Sequence, residues 1–340
     1  MAVHEPDPRH SEQLESDRPE PVIGIVLVTA LVAGAAVLKR SGIVDRPALQ
    51  TWFTVFQAVC LQAFPFLVLG TALGATIAEV VPTNRLMRFV PTNSAVAVPF
   101  AGVAGGLLPG CECGSVPIAG RLIDEGLRAP VAFTFMLAAP AINPVVLIAT
   151  SIAFPGQPRF VVARFLASLA TACIVGWIWA WRADRLPPVR ERQRRDTSRP
   201  RPSIGAKAKA EAWVAALLHD TLHAGGYLVV GAAVAATMQT IVPRSLLESV
   251  GGQAAVAVIA LGVLAVLLSV CSEADAFVAT SFTAFSPTAR LAFLVVGPAI
   301  DFKLIAMQGG TFGRAVAVRL APLIFVTALV CASVVGLVLL

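Results

Sequence analysis

Leu67 to Pro82, LVLGTALGATIAEVVP, and Leu228 to Pro243, LVVGAAVAATMQTIVP, read as the same apolar segment written twice, with Gly70 answering Gly231 and Pro82 answering Pro243. Working outward, each copy runs on to a polar break, Cys111-Glu112-Cys113-Gly114 in the first and Cys271-Ser272-Glu273-Ala274-Asp275 in the second. Each then meets a kinked apolar stretch, Ala139-Pro140-Ala141-Ile142-Asn143 or Gly297-Pro298-Ala299-Ile300-Asp301. The offset drifts only from 161 at the prolines to 160 at the cysteines and 158 at the kinks. Chance likeness among Ala, Val and Leu does not keep prolines and acid-bearing breaks in order, so the pattern implies an internal duplication of the kind found in carriers.

Hydrophobic residues make up 57% of the 340 and charged residues only 14%, with a mean hydropathy of +0.79. A soluble domain carries far more charge, so the expected fold class is all-α and polytopic in a membrane, where backbone groups must pair within helices. Val22 to Leu38, Phe160 to Trp181 and Ala315 to Leu340 approach or exceed the roughly 20 apolar residues that cross a bilayer. The polar start, Met1 to Glu20, lacks the basic character of a signal peptide, which makes Val22 to Leu38 a retained helix. Six cysteines, mostly inside apolar segments, argue against a secreted disulfide scaffold.

Five regions follow: a polar tail (1–21), an extra transmembrane helix (22–40), a first repeat (50–181), a basic linker (182–211) and a second repeat (212–340). The linker holds ten basic and four acidic side chains, a net +6 equal to that of the whole chain. Between two membrane lobes this charge points to a cytoplasmic connection rather than a nucleic-acid arm. Trp52, Trp177, Trp179 and Trp181 at span ends are expected as interfacial anchors. Counted plainly, the apolar segments give nine helices, four per lobe, and parallel repeats. If the short segments entering the breaks are re-entrant hairpins, three full spans per lobe remain and the repeats are inverted, which is the preferred reading.

Glu112 is the leading candidate for substrate binding, because a carboxylate within a membrane protein is costly unless it faces water, a partner or a substrate. Cys111 and Cys113 flank it, and across a Gly-rich turn their sulfurs can converge on a soft ion or trivalent metalloid, with Cys271 as a third donor. Buried cysteine is also an ordinary small hydrophobe, the expected role of Cys60, Cys173 and Cys331. Glu273 and Asp275 give the second break the acids that Glu112, beside Ser115, gives the first, and they are candidates for carrying protons. Asn143 and Asp301 follow equivalent proline kinks, with Lys303 two residues from Asp301 to neutralise it. His219 and His223 share a helix face but lack a metalloprotease companion, so an interfacial pair is expected there. No glycine-rich phosphate loop is present, which leaves an ion gradient or a partner ATPase as the energy source. No cofactor is called for.

Leu108-Pro109-Gly110-Cys111-Glu112-Cys113-Gly114-Ser115-Val116-Pro117, Phe135 to Pro144 and Cys271 to Phe277 resemble the predicted permeases grouped with organoarsenical efflux permeases, the ArsP/YraQ-like family. The likeness extends over residues 50 to 340. It implies a multi-pass permease of the bacterial inner (cell) membrane, and in such exporters membrane cysteines are taken to bind trivalent arsenic. Carried over by motif, that metalloid-binding role falls on Cys111 and Cys113, with Glu112 beside them. The expected function is secondary efflux of a thiophilic metalloid or metal species, with protons as the candidate coupling ion. The expected partners are the lipid bilayer and a small-molecule or ion substrate, and a homo-oligomer is compatible with the sequence. Two alternatives stand beside it: a carrier of a small anion or sulfur compound using helix-end N–H groups and Arg121, and a membrane enzyme or scaffold subunit. No histidine lies near Cys111 in sequence to serve as a base, which weighs against an enzyme.

Overall fold

The computed structural model describes residues 47–80, 90–108, 110–182, 206–241 and 254–340. The expected polar tail, the extra helix Val22 to Leu38 and most of the basic linker lie outside these residues. Among the described residues all regular structure is helical: α1 (Pro47–Val80), α2 (Ser94–Gly106), α3 (Glu112–Asp124), α4 (Ala129–Ile142), α5 (Pro144–Ala153), α6 (Pro158–Trp181), α7 (Ala206–Ile241), α8 (Ala254–Leu268), α9 (Asp275–Thr280), α10 (Pro287–Ala299), α11 (Phe302–Phe312) and α12 (Arg314–Leu339).

Among the described residues six apolar spans are long enough to cross a membrane. Four are single helices, α1, α6, α7 and α12. The other two, Ala129–Ala153 and Pro287–Phe312, are each built from two helices joined at a kink. These broken spans are 78% and 83% buried, against 33% for α1, α7 and α12, so the interrupted segments form the core and the unbroken helices surround them. The exposed surface of the surrounding helices is apolar, with Val326, Val330 and Val334 of α12 each more than half exposed, as lipid contact requires. The protein is an all-α, polytopic membrane protein.

Each kink has a local cause. Pro140 and Pro298 remove a backbone donor near the end of α4 and α10, and a capping side chain restarts the next helix. Asn143 accepts the amide of Val146 at 2.9 Å to open α5, and Asp301 accepts that of Leu304 at 2.7 Å to open α11. The short apolar helices α2 and α8 each end at a non-helical break, followed by α3 and α9 respectively.

Close packing depends on glycine where α1 crosses the start of α3. A methyl on Gly70 would lie 2.3 Å from Gly114 Cα, so this approach requires glycine at position 70. Gly231 similarly admits Lys303, whose Cα would be 2.4 Å from an added Cβ. Phe133 joins the two parts of the core through edge-on contacts with Trp179 and Phe312. Trp179 is therefore 3% exposed and a core residue, which corrects the interfacial expectation; Trp177 and Trp181 of the same helix are exposed. An indole at the middle of three alternating tryptophans necessarily faces a different side of a helix from its neighbours.

Candidate functional site

The first break is organised by the start of α3. Cys111 is its N-cap residue, with extended backbone, and its carbonyl accepts the amides of Gly114 and Ser115 at 3.2 and 3.3 Å. Glu112 thereby occupies the first turn, where the helix dipole favours a carboxylate. It is 1% exposed rather than wetted at an interface. Ser115 returns its hydroxyl to the Glu112 carbonyl at 3.0 Å.

The second break turns on Ser269, the one positive-φ residue other than glycine among the described residues (φ 47°). That left-handed geometry is strained for a residue with a Cβ. The Ser269 carbonyl accepts a hydrogen bond from Lys303 Nζ at 3.0 Å.

Lys303, buried at the start of α11, joins the two breaks. Its Nζ donates to Glu112 Oε1 at 2.7 Å, lies 3.0 Å from Asp301 Oδ2 and approaches Cys271 Sγ at 4.0 Å. An ammonium has three hydrogens for these four neighbours, and Asp301 Oδ2 is the one held by charge alone, without a hydrogen bond. Ser272 adds a longer tie between the breaks, its hydroxyl 3.5 Å from Glu112 Oε2. The Cys111 and Cys113 thiols lie within hydrogen-bonding reach of each other, as a turn at the break allows and a regular helix would not. All six cysteines are free thiols.

The other expected residues divide. Asp275 is buried and meets a partner that the sequence reading missed, Arg164 of α6. The guanidinium grips it at 2.9 and 2.7 Å and also donates to the Ser272 carbonyl and the Thr150 hydroxyl. The fork geometry of arginine thus claims both oxygens of Asp275. Glu273 is half-buried and bonds to Ser272. Asn143 donates to the carbonyls of Gly110 at 3.1 Å and Ala139 at 2.9 Å, so the Ala139 carbonyl at the helix end is occupied and the kink is tied to the first break. His219 and His223 have near-parallel rings 6.2 Å apart. Among the described residues no group of three or more His, Cys, Asp or Glu is arranged to hold a metal ion.

A narrow apolar cleft opens between α1, α3 and α4 beside the first break. Cys111, Gly114 and Ser115 line it together with Phe66, Leu69 and Phe135.

The ArsP_1 family model, described as "Predicted permease", matches residues 48–337. The chain belongs to this family. It is 33% identical over 264 residues to a Streptococcus mutans protein named as a candidate subunit of a two-component membrane permease complex, covering 76% of this chain and 86% of that one. It is 34% identical over 266 residues to the UPF0718 protein YcgR of Bacillus subtilis, covering 77% and 88%. No solved structure matches it significantly. The protein is thus a multi-pass bacterial membrane permease, a lipid-embedded transporter of a small molecule or ion.

Proposed function

We propose that the permease exports a thiophilic metalloid or metal species, with trivalent organoarsenicals as the model substrate, from a site formed where the two breaks meet. The observation that carries this reading is the convergence on Lys303 of Glu112 from the first break and Cys271 from the second, with the Cys111 and Cys113 thiols adjoining Glu112. Paired thiols suit a soft trivalent centre, each arsenic–sulfur bond forming as a thiol proton and an arsenic hydroxyl leave together as water. The apolar cleft beside Cys111 suits the organic substituent. Cys111, Cys113 and Cys271 would hold the substrate, Glu112, Ser115, Asn143 and Asp301 would shape the site, and Asp275 would fix the second break.

In this reading residues 50–181 and 212–340 are inverted repeats, each with three full spans and one re-entrant hairpin, α2–α3 and α8–α9. Support comes from the matching order of elements and from Asn143 and Asp301 capping corresponding half-helices. The basic linker between them would be cytoplasmic. Protons are the proposed coupling ion, since Glu112 and Asp301 face one ammonium and leave a negative charge that a proton relieves, while the half-buried Glu273 offers an exchange point. An anion carrier fits less well: Arg121, Arg164 and Lys303 each already face a carboxylate.

Whole-cell accumulation of methylarsenite and of soft metal ions, with and without expression, tests the proposal. Expression is expected to lower accumulation, and Cys111→Ser with Cys113→Ser to abolish the effect. No change for any soft species, or export that survives both substitutions, removes sulfur coordination.

A further inference from the structure

The buried face of α11 carries polar atoms that the rest of the described protein leaves unsatisfied. Gln308 is fully buried, and among the described residues neither its amide oxygen nor its nitrogen has a hydrogen-bond partner. Asp301 Oδ2, at the start of the same helix, has the Lys303 ammonium 3.0 Å away. Buried amides are nearly always satisfied, by protein or by ordered water, because their donor and acceptor otherwise lose hydration with nothing in return.

At 100° per residue, Asp301, Leu304, Gln308 and the Thr311–Phe312 pair fall on one stripe of the helix. The outer end of that stripe opens into a narrow cleft between α3, α7 and α11. Thr311 and Phe312 line its α11 wall, Asp220 and His223 its α7 wall, and Arg121 and Asp124 its α3 wall. Arg121 is ion-paired with Asp220, and His223 Nε2 lies 3.5 Å from the Gly310 carbonyl. Helix α3 runs in step with α11, Glu112 meeting Lys303 at one end and Gly120 facing Thr311 at the other, where an added Cβ would lie 2.6 Å from Thr311 Cγ2. Both helices therefore lead from the buried ion pair to the cleft. Gln308 stands one turn inward of the cleft and about 10 Å along the axis from Asp301.

We propose that this stripe is a hydration path, with the Arg121–Asp220–His223 cleft as its aqueous mouth, Gln308 as the residue that holds water within it, and Leu304 as the apolar barrier before Asp301 and Lys303. What passes is water and the protons water conducts. The groups it meets are Arg121, Asp124, Asp220 and His223 at the mouth, and Asp301, Lys303, Glu112 and Cys271 at the inner end. The path serves any substrate, so it stands or falls separately from the thiol reading.

Thiol accessibility in sealed vesicles tests it. Gln308→Cys and Thr311→Cys are expected to react with a small, charged methanethiosulfonate reagent from the same side of the membrane, at least about tenfold faster than the lipid-facing control Val318→Cys, because only a hydrated thiol ionises and reacts. Peptide-resolved mass spectrometry keeps native cysteines out of the comparison. Labelling of Gln308→Cys no faster than the control overturns the path. Should that variant not fold, hydroxyl-radical footprinting of the unaltered chain decides: Phe312 and Leu304 are expected to be oxidised while Leu291, equally buried, is not. Equal silence at all three overturns the proposal.

Discussion

Replacing Arg164 with Met deletes the cation that grips Asp275, and the structure sets the size of the effect. The guanidinium supplies two hydrogen bonds to the carboxylate, at 2.9 and 2.7 Å, and one each to Thr150 Oγ1 and the Ser272 carbonyl. The Thr150 hydroxyl keeps its bond to Val146, so its loss adds little. Asp275, 1% exposed, is left as an uncompensated charge, a change that costs about 3–5 kcal/mol. At a few degrees per kcal/mol for a chain of this size, the thermal midpoint in detergent should fall by roughly 10 °C, read from the fluorescence of the five tryptophans. Replacing both partners, Arg164→Met with Asp275→Leu, exchanges a buried pair for packed hydrophobes and should recover most of that loss. Transport should remain impaired in the double variant, because Arg164 also holds the Ser272 carbonyl of the second break. A single variant within about 2 °C of the parent, or a double variant as unstable as the single, would refute the argument.

Lys303→Met leaves Glu112 and Asp301 both unpaired and should destabilise more than Glu112→Gln, after which Lys303 still faces Asp301; a thermal-shift ranking in the opposite order contradicts the geometry. Gly70→Ala should cost about 1–3 kcal/mol by forcing α1 off Gly114, whereas Gly110→Ala, with nothing within 4 Å of its added methyl, should be near neutral; matched yields and melting temperatures check the pair. Asn143→Ala removes the α5 cap and two carbonyl partners and should lower stability by about 1–3 kcal/mol, with Asn143→Asp restoring the cap but not the bond to Gly110.

The spans, the two polar breaks and the proline kinks were legible because each has a local signature: apolar length, a Cys/acid cluster, or a proline followed by a capping Asn or Asp. Glu112 was legible for the same reason, a carboxylate being expensive in that setting. What the sequence left hidden is which distant charge answers which. Lys303 was read as the neighbour of Asp301, and its 3.0 Å contact bears that out, but its reach to Glu112 spans 191 positions. Arg164 was passed over inside an otherwise apolar span. An isolated arginine there was itself the available signal, since a cation in a membrane helix demands a counter-charge. Gln308 gives no such signal, because an uncharged amide raises no alarm until burial and its missing partners are known.

Charge gathers where helices stop for a physical reason. A continuous helix in lipid satisfies its backbone internally and offers an ion nothing, whereas each interruption creates a helix start with unpaired amides and a local positive field. Glu112 in the first turn of α3 and Asp301 capping α11 both use that field. Lys303 in the first turn of α11 opposes it, so its burial depends on the two carboxylates rather than on the helix. The same ammonium thus answers to a residue on each side of the joint between the two breaks, and any motion that parts α3 from α11 leaves Lys303 with Asp301 and strips Glu112 of its cation. A buried carboxylate left without its cation is costly, so under the proposed function the separation of the breaks would be eased by a proton or a substrate arriving at Glu112.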